Sequence, residues 1–357
     1  MHRRSGLAVY AHPKFNEGGS IMHVRDSVLP GAGLVLLGLT LGLGSLAQAS
    51  GACDRACLEG FADKYLDAVI AHDPKRAPLA HDVKFTENGQ RLELGDGLWR
   101  TLTAKGTYRT FVTDPQAGQV TFLGSIKEAD IYAMLALHLT VHRGQITAVE
   151  TLVQRNERSG EGFEKIGYKW AEPIPESERM SHDDLVKTAN MYFSGMEKND
   201  GKGVYPFADD CNRIENGTFT TNAPAPAGQT RPDPKTSSNY SAQWSCKEQF
   251  QSGLLHFVSR IRDRRYVTVD PEHGLVFAFC FFDHMAGDTR NFQTPDGRAV
   301  SAGPKQPWTW EIAEAFKIEH GQIHQIQAIM EHVPYGMTSG WSNWDDAMAS
   351  KARDVSK

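Results

Sequence analysis

Two short segments of this 357-residue chain put ionisable side chains on otherwise apolar strands. The first, Phe281-Phe282-Asp283-His284, ends the run Val276–Phe282, which is apolar on both faces. Strand alternation places His284 with Phe282, Cys280 and Ala278, and Asp283 with Phe281 and Phe279. A histidine at the edge of a dry pocket titrates near neutral pH and suits a general base. A strand end leaving the sheet, with both side chains in water, is the plainer alternative. The second segment is Ile323–Val333. Here His324, Ile326, Ala328, Met330 and His332 share one face, and Gln325, Gln327, Ile329 and Glu331 the other. Pro334-Tyr335-Gly336 then bends the chain, and the Tyr335 phenol suits donation to a developing oxyanion. A core histidine and a corner tyrosine are the structural alternative. The set describes proton abstraction and return: His332 or His284 as base, Asp283 or Glu331 orienting it, Tyr335 as oxyanion donor.

Further candidates would hold a substrate. Arg260, Arg262 and Arg264 alternate, so a strand would show them on one face, where Arg262 and Arg264 suit a carboxylate or phenolate. An edge strand protected by charge explains them equally. Glu-Asn-Gly occurs twice, at Glu87-Asn88-Gly89 and Glu215-Asn216-Gly217. Glu215 and Trp99 are taken as substrate contacts, although Asn-Gly is also a hairpin turn. Phe282 and Met330 complete the expected apolar lining. Asp209-Asp210 is a carboxylate pair in which one pKa would rise, or simply a solvated turn. The chain has no G-x-S-x-G, no P-loop and no H-E-x-x-H. Its 14 histidines are scattered without metal-ligand spacing. No metal and no cofactor are expected.

The elements that must position these residues repeat. Phe61–Asp73 aligns with Thr188–Asp200, each an amphipathic helix with a polar His-Asp or Asn-Asp stop. The two Glu-Asn-Gly strings follow at nearly the same offset. His142-Arg-Gly-Gln-Ile then matches Glu319-His-Gly-Gln-Ile, a strand, a tight glycine turn and a second strand. Three matches in one order describe two copies of an α+β unit. The expected layout is an extension with signal peptide at 1–49, a first unit at 50–172, a linker at 173–179, a second unit at 180–345 and a tail at 346–357. Thr221–Ser245 and Met285–Pro307 are rich in Pro, Gly, Ser, Thr and Asn and read as loop insertions in the second copy.

Composition narrows the class. With 38 Lys plus Arg against 43 Asp plus Glu and 40% apolar residues, the chain is an ordinary globular one. A net charge of −5 without a basic run gives no support for nucleic-acid binding. Gly33–Gly44 is an apolar run preceded by Arg25 and followed by Ala47-Gln48-Ala49, the order of a secretory signal. Cleavage is expected after Ala49, giving a secreted or periplasmic protein off the membrane; an uncleaved anchor is the alternative, and Met22 is a second possible start. Pairing Cys53 with Cys57 and Cys211 with Cys246 leaves Cys280 free and buried, although spacing does not prove connectivity. Asn216-Gly-Thr218 and Asn239-Tyr-Ser241 are glycosylation sequons.

A helix, a short connection and a sheet ending in a Gly-x-Ile hairpin resemble the NTF2-like fold of ketosteroid isomerases, SnoaL-type cyclases and scytalone dehydratase. Val83-Lys-Phe-Thr-Glu-Asn-Gly89, Gly95-Asp-Gly-Leu-Trp99 and Val333-Pro-Tyr-Gly-Met-Thr-Ser-Gly-Trp341 are similar to secreted two-copy proteins of bacteria and fungi. The resemblance spans about 55–345. It implies two cone-shaped units, helices packed on a curved antiparallel sheet, fused as an intramolecular pseudo-dimer that is able to dimerise again. It implies an apolar pocket in the second unit and cofactor-independent isomerase, dehydratase or lyase chemistry on a small hydrophobic or aromatic molecule. A non-catalytic, exported ligand-binding protein is the alternative.

Overall fold

The computed structural model describes residues 53–166, 170 and 172–357. The expected leader at 1–49 lies outside them. Helix α1 (Arg55–Ile70) starts where the Asp54 carboxylate accepts from the Cys57 amide and buries Leu58, Ala62, Tyr65, Leu66 and Val69. Its counterpart α4 (His182–Lys198) is capped by Ser181 and buries Leu185, Ala189, Tyr192, Phe193 and Met196. The polar stops work as backbone reversals: His72 and Asn199 take left-handed φ of 52° and 44°. Short helices α2 (Leu98–Thr101), α3 (Glu157–Glu164), α5 (Cys246–Ser252) and α6 (Trp344–Met348) complete the helical part.

The first unit contributes β1 (Leu79–Glu87), β2 (Gln90–Arg91), β3 (Leu102–Asp114), β4 (Gln119–Glu128), β5 (Ile131–His142) and β6 (Gln145–Gln154). They form one sheet in the order β2-β1-β6-β5-β4-β3. The second contributes β7 (Phe207–Glu215), β8 (Thr218–Phe219), β9 (Arg260–Asp270), β10 (Leu275–His284), β13 (Trp308–Glu319), β14 (Gln322–Val333) and β15 (Ala352–Asp354). Their order, β8-β7-β14-β13-β10-β9-β15, repeats the first sheet strand for strand and adds β15 from the segment set apart as a tail. The chain is therefore α+β in a two-copy layout. The sheets are mixed rather than purely antiparallel, because β1 and β7 run parallel to β6 and β14. The second insertion is not all loop: β11 (Asn291–Gln293) and β12 (Ala299–Ser301) pair within it.

The repeated strings are turn chemistry. Asn88-Gly89 and Asn216-Gly217 have positive φ at both residues, as do Arg143-Gly144 and His320-Gly321. Two left-handed residues in succession match the twist of tight hairpins, and Asn and Gly tolerate them best. Each Asn also clamps its sheet. The Asn88 amide donates to Val153 O (3.0 Å) and accepts from Val153 N (2.7 Å). Asn216 does the same with Met330, at 3.0 and 2.8 Å.

Three main cores result. Helix α1 packs on one face of the first sheet, and α4 with α5 on one face of the second. The other two faces meet in a shared seam of Val112, Leu123 and Ala136 against Phe277, Phe279 and Ala315. Cys53–Cys57 and Cys211–Cys246 are disulfide-bonded, and Cys280 is free and buried. Among the described residues no helix is long and apolar enough to cross a membrane.

Candidate functional site

Ala278, Cys280, Phe282, Ile312, Phe316, Ile326, Ala328 and Met330 enter the core under α4. His284, Trp308, Trp310 and His332 continue those faces to the strand ends, where His284, Trp308 and His332 stack and Trp310 meets them edge-on. His284 lies 3.8 Å from Trp308 at 9°, and Trp308 lies 4.6 Å from His332 at 25°. Phe257 covers the other face of His284 at 5.9 Å, and Tyr240 lies tilted beyond Phe257 at 5.6 Å. His284 is buried, and neither ring nitrogen makes a well-aligned hydrogen bond, although backbone groups of Phe282 and Trp308 lie near enough to oppose the fall in its pKa. Burial pushes its pKa down to about 4, with the Asp283 charge opposing. It is therefore neutral at physiological pH and a weak base. His332 is exposed.

The expected orienting carboxylates are elsewhere, because neighbours on a strand face opposite ways. Asp283 is buried on the seam side, bound by Arg262 (2.8 Å), Arg260 (2.7 Å) and Thr309 (2.7 Å). Burial alone would raise its pKa; these donors hold it below the usual carboxylate range. Glu331 also faces the seam, half-buried, and burial raises its pKa against the opposing Arg155 charge. Tyr335 turns outward after Pro334, is 41% exposed and, among the described residues, makes no side-chain hydrogen bond. Neither carboxylate, nor Tyr335, serves the two histidines.

The substrate-binding set also changes. Asp263 has φ 51°, and the four residues of β9 from Arg262 to Arg265 oppose only the three from Phe281 to Phe279 on β10. This bulge sends Arg262 and Arg264 to opposite faces. Arg262 is fully buried on Asp283, Ala347 O and Met337 O. Arg264 ties β9 to α4 through Ser194 (2.9 Å) and Glu197. With β15 on its outer side, β9 is not an edge. Trp99 is buried and donates to the Tyr65 hydroxyl (3.2 Å). Phe282 packs on Phe193 at 5.9 Å, and Met330 belongs to the same core. The expected hollow is filled by rings, with Phe207 4.8 Å from Phe250 and Phe193 5.5 Å from Phe316.

Glu215 leads to a cluster that strand reading missed. It pairs with the buried Arg213 at 3.3 Å, and Arg213 donates to Thr220 (3.1 Å) and Gln249. Glu314 of β13 points into the same core beside Ile312 and Phe316, and its Oε2 lacks a partner. Burial, then the Glu215 charge, pushes Glu314 up to about 8 against the opposing Arg213. The Tyr192 hydroxyl interacts electrostatically with Glu314 and Arg213 without a well-aligned hydrogen bond. Tyr240, whose charge environment includes Glu215 and Arg213, joins this cluster to the stacked rings.

The first copy differs at the matching positions. Counting from the Gly144 and Gly321 turns, Leu137 stands where Glu314 does; counting from the Glu-Asn-Gly strings, Phe85 stands where Arg213 does. The matching Tyr65 and Glu87 are satisfied by Trp99, the Leu98 amide (2.7 Å) and Arg155 (2.7 Å). Aligning the repeats at their turns would have found Glu314, the one ionisable intruder on a face that is Leu in the other copy.

Among the described residues, two other groups bring three possible metal ligands together: His182, Asp183 and Asp354, and Asp270, Glu272 and His273. Lys357 and Arg55 already pair with their carboxylates.

No curated protein matches the chain. Among solved structures, a de novo designed protein with a curved β-sheet is similar at 14% identity and a TM-score of 0.23, over 43% of this chain and 88% of its own. A family model matches residues 52–153 and 178–330, one segment in each copy. That is most of the chain, and this protein belongs to the family described as Domain of unknown function (DUF8021).

Proposed function

We propose that the chain is an exported acid–base enzyme with two NTF2-like units fused as a pseudo-dimer. The second unit would act on a small hydrophobic or aromatic molecule by isomerisation, dehydration or a lyase step, using side-chain groups alone. One observation carries this reading: the second unit buries a carboxylic acid, Glu314, whose Oε2 has no hydrogen-bond partner, where the first has Leu137. An acid with a pKa raised to about 8 keeps its proton at neutral pH and donates it where an oxyanion develops. Tyr192 is the second donor to that oxygen. Glu215, positioned by Arg213, takes the proton removed from carbon. Rings fill the core around Glu314, so a flat, weakly polar substrate would have to displace them, entering past the rings from Tyr240 to His332.

The test is incubation of the mature chain with a metabolite extract, followed by mass spectrometry of bound and converted species. Glu314→Leu copies the first unit's residue, so it should fold and lose conversion by about 100-fold or more. Conversion at the parent rate in that variant would end the proposal. Ligand capture without turnover is the alternative outcome of the same experiment. It predicts a retained molecule and no product.

A further inference from the structure

The seam holds a second buried acid that the proposed reaction does not use. Glu311 is three residues from Glu314 on β13, so it points toward the first unit instead. It is buried, and its Oε2 has no partner. Burial, then the Glu150 charge, pushes its pKa up to about 8 against the opposing Arg265. Glu150 of β6, Asp263 and Arg265 of β9, and Glu331 of β14 face it. The nearby cations pair first with other groups, although Arg265 Nε has no hydrogen-bond partner. Arg265 holds Glu150 at 2.7 and 2.8 Å, and Arg353 holds Asp263. Arg155 holds Glu87 and Glu128, and Lys84 sits over the Trp341 ring at 3.8 Å and donates to Gly340 O.

Gly89 lies directly against this carboxyl. A Cβ there would stand 3.2 and 3.3 Å from the two Glu311 oxygens and 2.7 Å from Met337 Cε. Gly89 and Met337 line a cavity of about 430 Å³ whose other walls include Gln90 from the first unit and Trp344 and Met348 from the second. Trp344 is 86% exposed. Met337 is a flexible cover, held through its sulfur by Gln90 at 3.4 Å.

We propose that this cavity is a binding site for a small primary ammonium with an aromatic or apolar body. The ammonium would pair with Glu311 once Met337 swings aside, and the body would lie on Trp344 and Met348. The charges balance: a neutral acid and an ammonium become a carboxylate–ammonium pair, and one proton leaves to solvent. Both copies build the site, so neither would form it alone. It is independent of the acid–base reading, because Glu314 faces the other way.

Isothermal titration of the full chain with benzylammonium at pH 7, in two buffers of different ionisation heat, tests the site. The expected result is binding with release of about one proton, and no binding of benzyl alcohol. Glu311→Gln should weaken benzylammonium by about ten-fold or more and abolish the release. Trp344→Ala, at an exposed position, should fold normally and weaken binding while the proton is still released. Absence of binding, equal binding of the alcohol, release that persists in Glu311→Gln, or unchanged affinity in Trp344→Ala would each overturn the site. Should Glu311→Gln fail to fold, the parent's proton release and Trp344→Ala decide alone.

Discussion

At the residue scale, two carboxylic acids three positions apart on β13 are buried on opposite faces of the second sheet. Glu311 and Glu314 are both pushed up to about 8 by burial, from an ordinary value of 4.5. The folded chain keeps protons there that the unfolded chain has lost. Their contribution to stability is complete below about 4.5 and disappears as the pH rises through about 8. Urea midpoints should fall from pH 5 to pH 8.5, and Glu314→Gln should flatten that fall. A slope unchanged in this variant would mean that Glu314 titrates normally. Asp283 behaves oppositely. Its donors lower its pKa, so it stabilises above the ordinary aspartate value and the benefit is lost in acid. Asp283→Ala strands the buried Arg262 and should cost about 3–5 kcal/mol, measured by chemical denaturation. A catalytic Asp283 would instead lose turnover with stability intact.

At the element scale, the paired Asn clamps explain why Glu-Asn-Gly recurs. Each Asn closes a hairpin in left-handed conformation and bonds both backbone groups of one residue on the neighbouring strand. Asn88→Ala and Asn216→Ala should each cost about 1–3 kcal/mol, since two strand groups lose their partner. Thermal unfolding of the two variants checks this, and a neutral effect would reduce the motif to a turn preference. These elements were legible because their signals are local: an apolar stripe, a polar stop, a glycine at the turn. The β9 bulge was not legible. Alternating arginines look like one face until Asp263 adds a residue to the strand.

At the scale of the whole molecule, the two sheets lean on each other rather than on water. The seam buries Phe277, Phe279 and Leu123 together with the Glu150–Arg265 pair. A segment such as 178–357 expressed alone would expose that apolar face and an unpaired Arg265. It should aggregate more readily than the full chain; a monodisperse half by light scattering would contradict the shared core. Cys211–Cys246 closes a loop of sequence separation 35 around the first insertion. Replacing both cysteines by serine should cost about 2–4 kcal/mol in denaturant titration, more than the same change at Cys53–Cys57, whose separation is 4.

What the chain's own order of residues determined was the duplication and the helix and hairpin signals. Each is set by neighbours within a few residues or by repetition, so composition and period suffice to read it. The strand face of His324 was not among them, because a shift of register sends Ile323 into the core and leaves His324 on Asp210. The functional pairings were decided only in three dimensions. Glu314 meets Tyr192 and Arg213 across three elements, and Glu311 meets Gly89 across the two copies. Whether a carboxyl is ionised or neutral depends on the water removed around it, and that is a property of packing between elements distant in sequence.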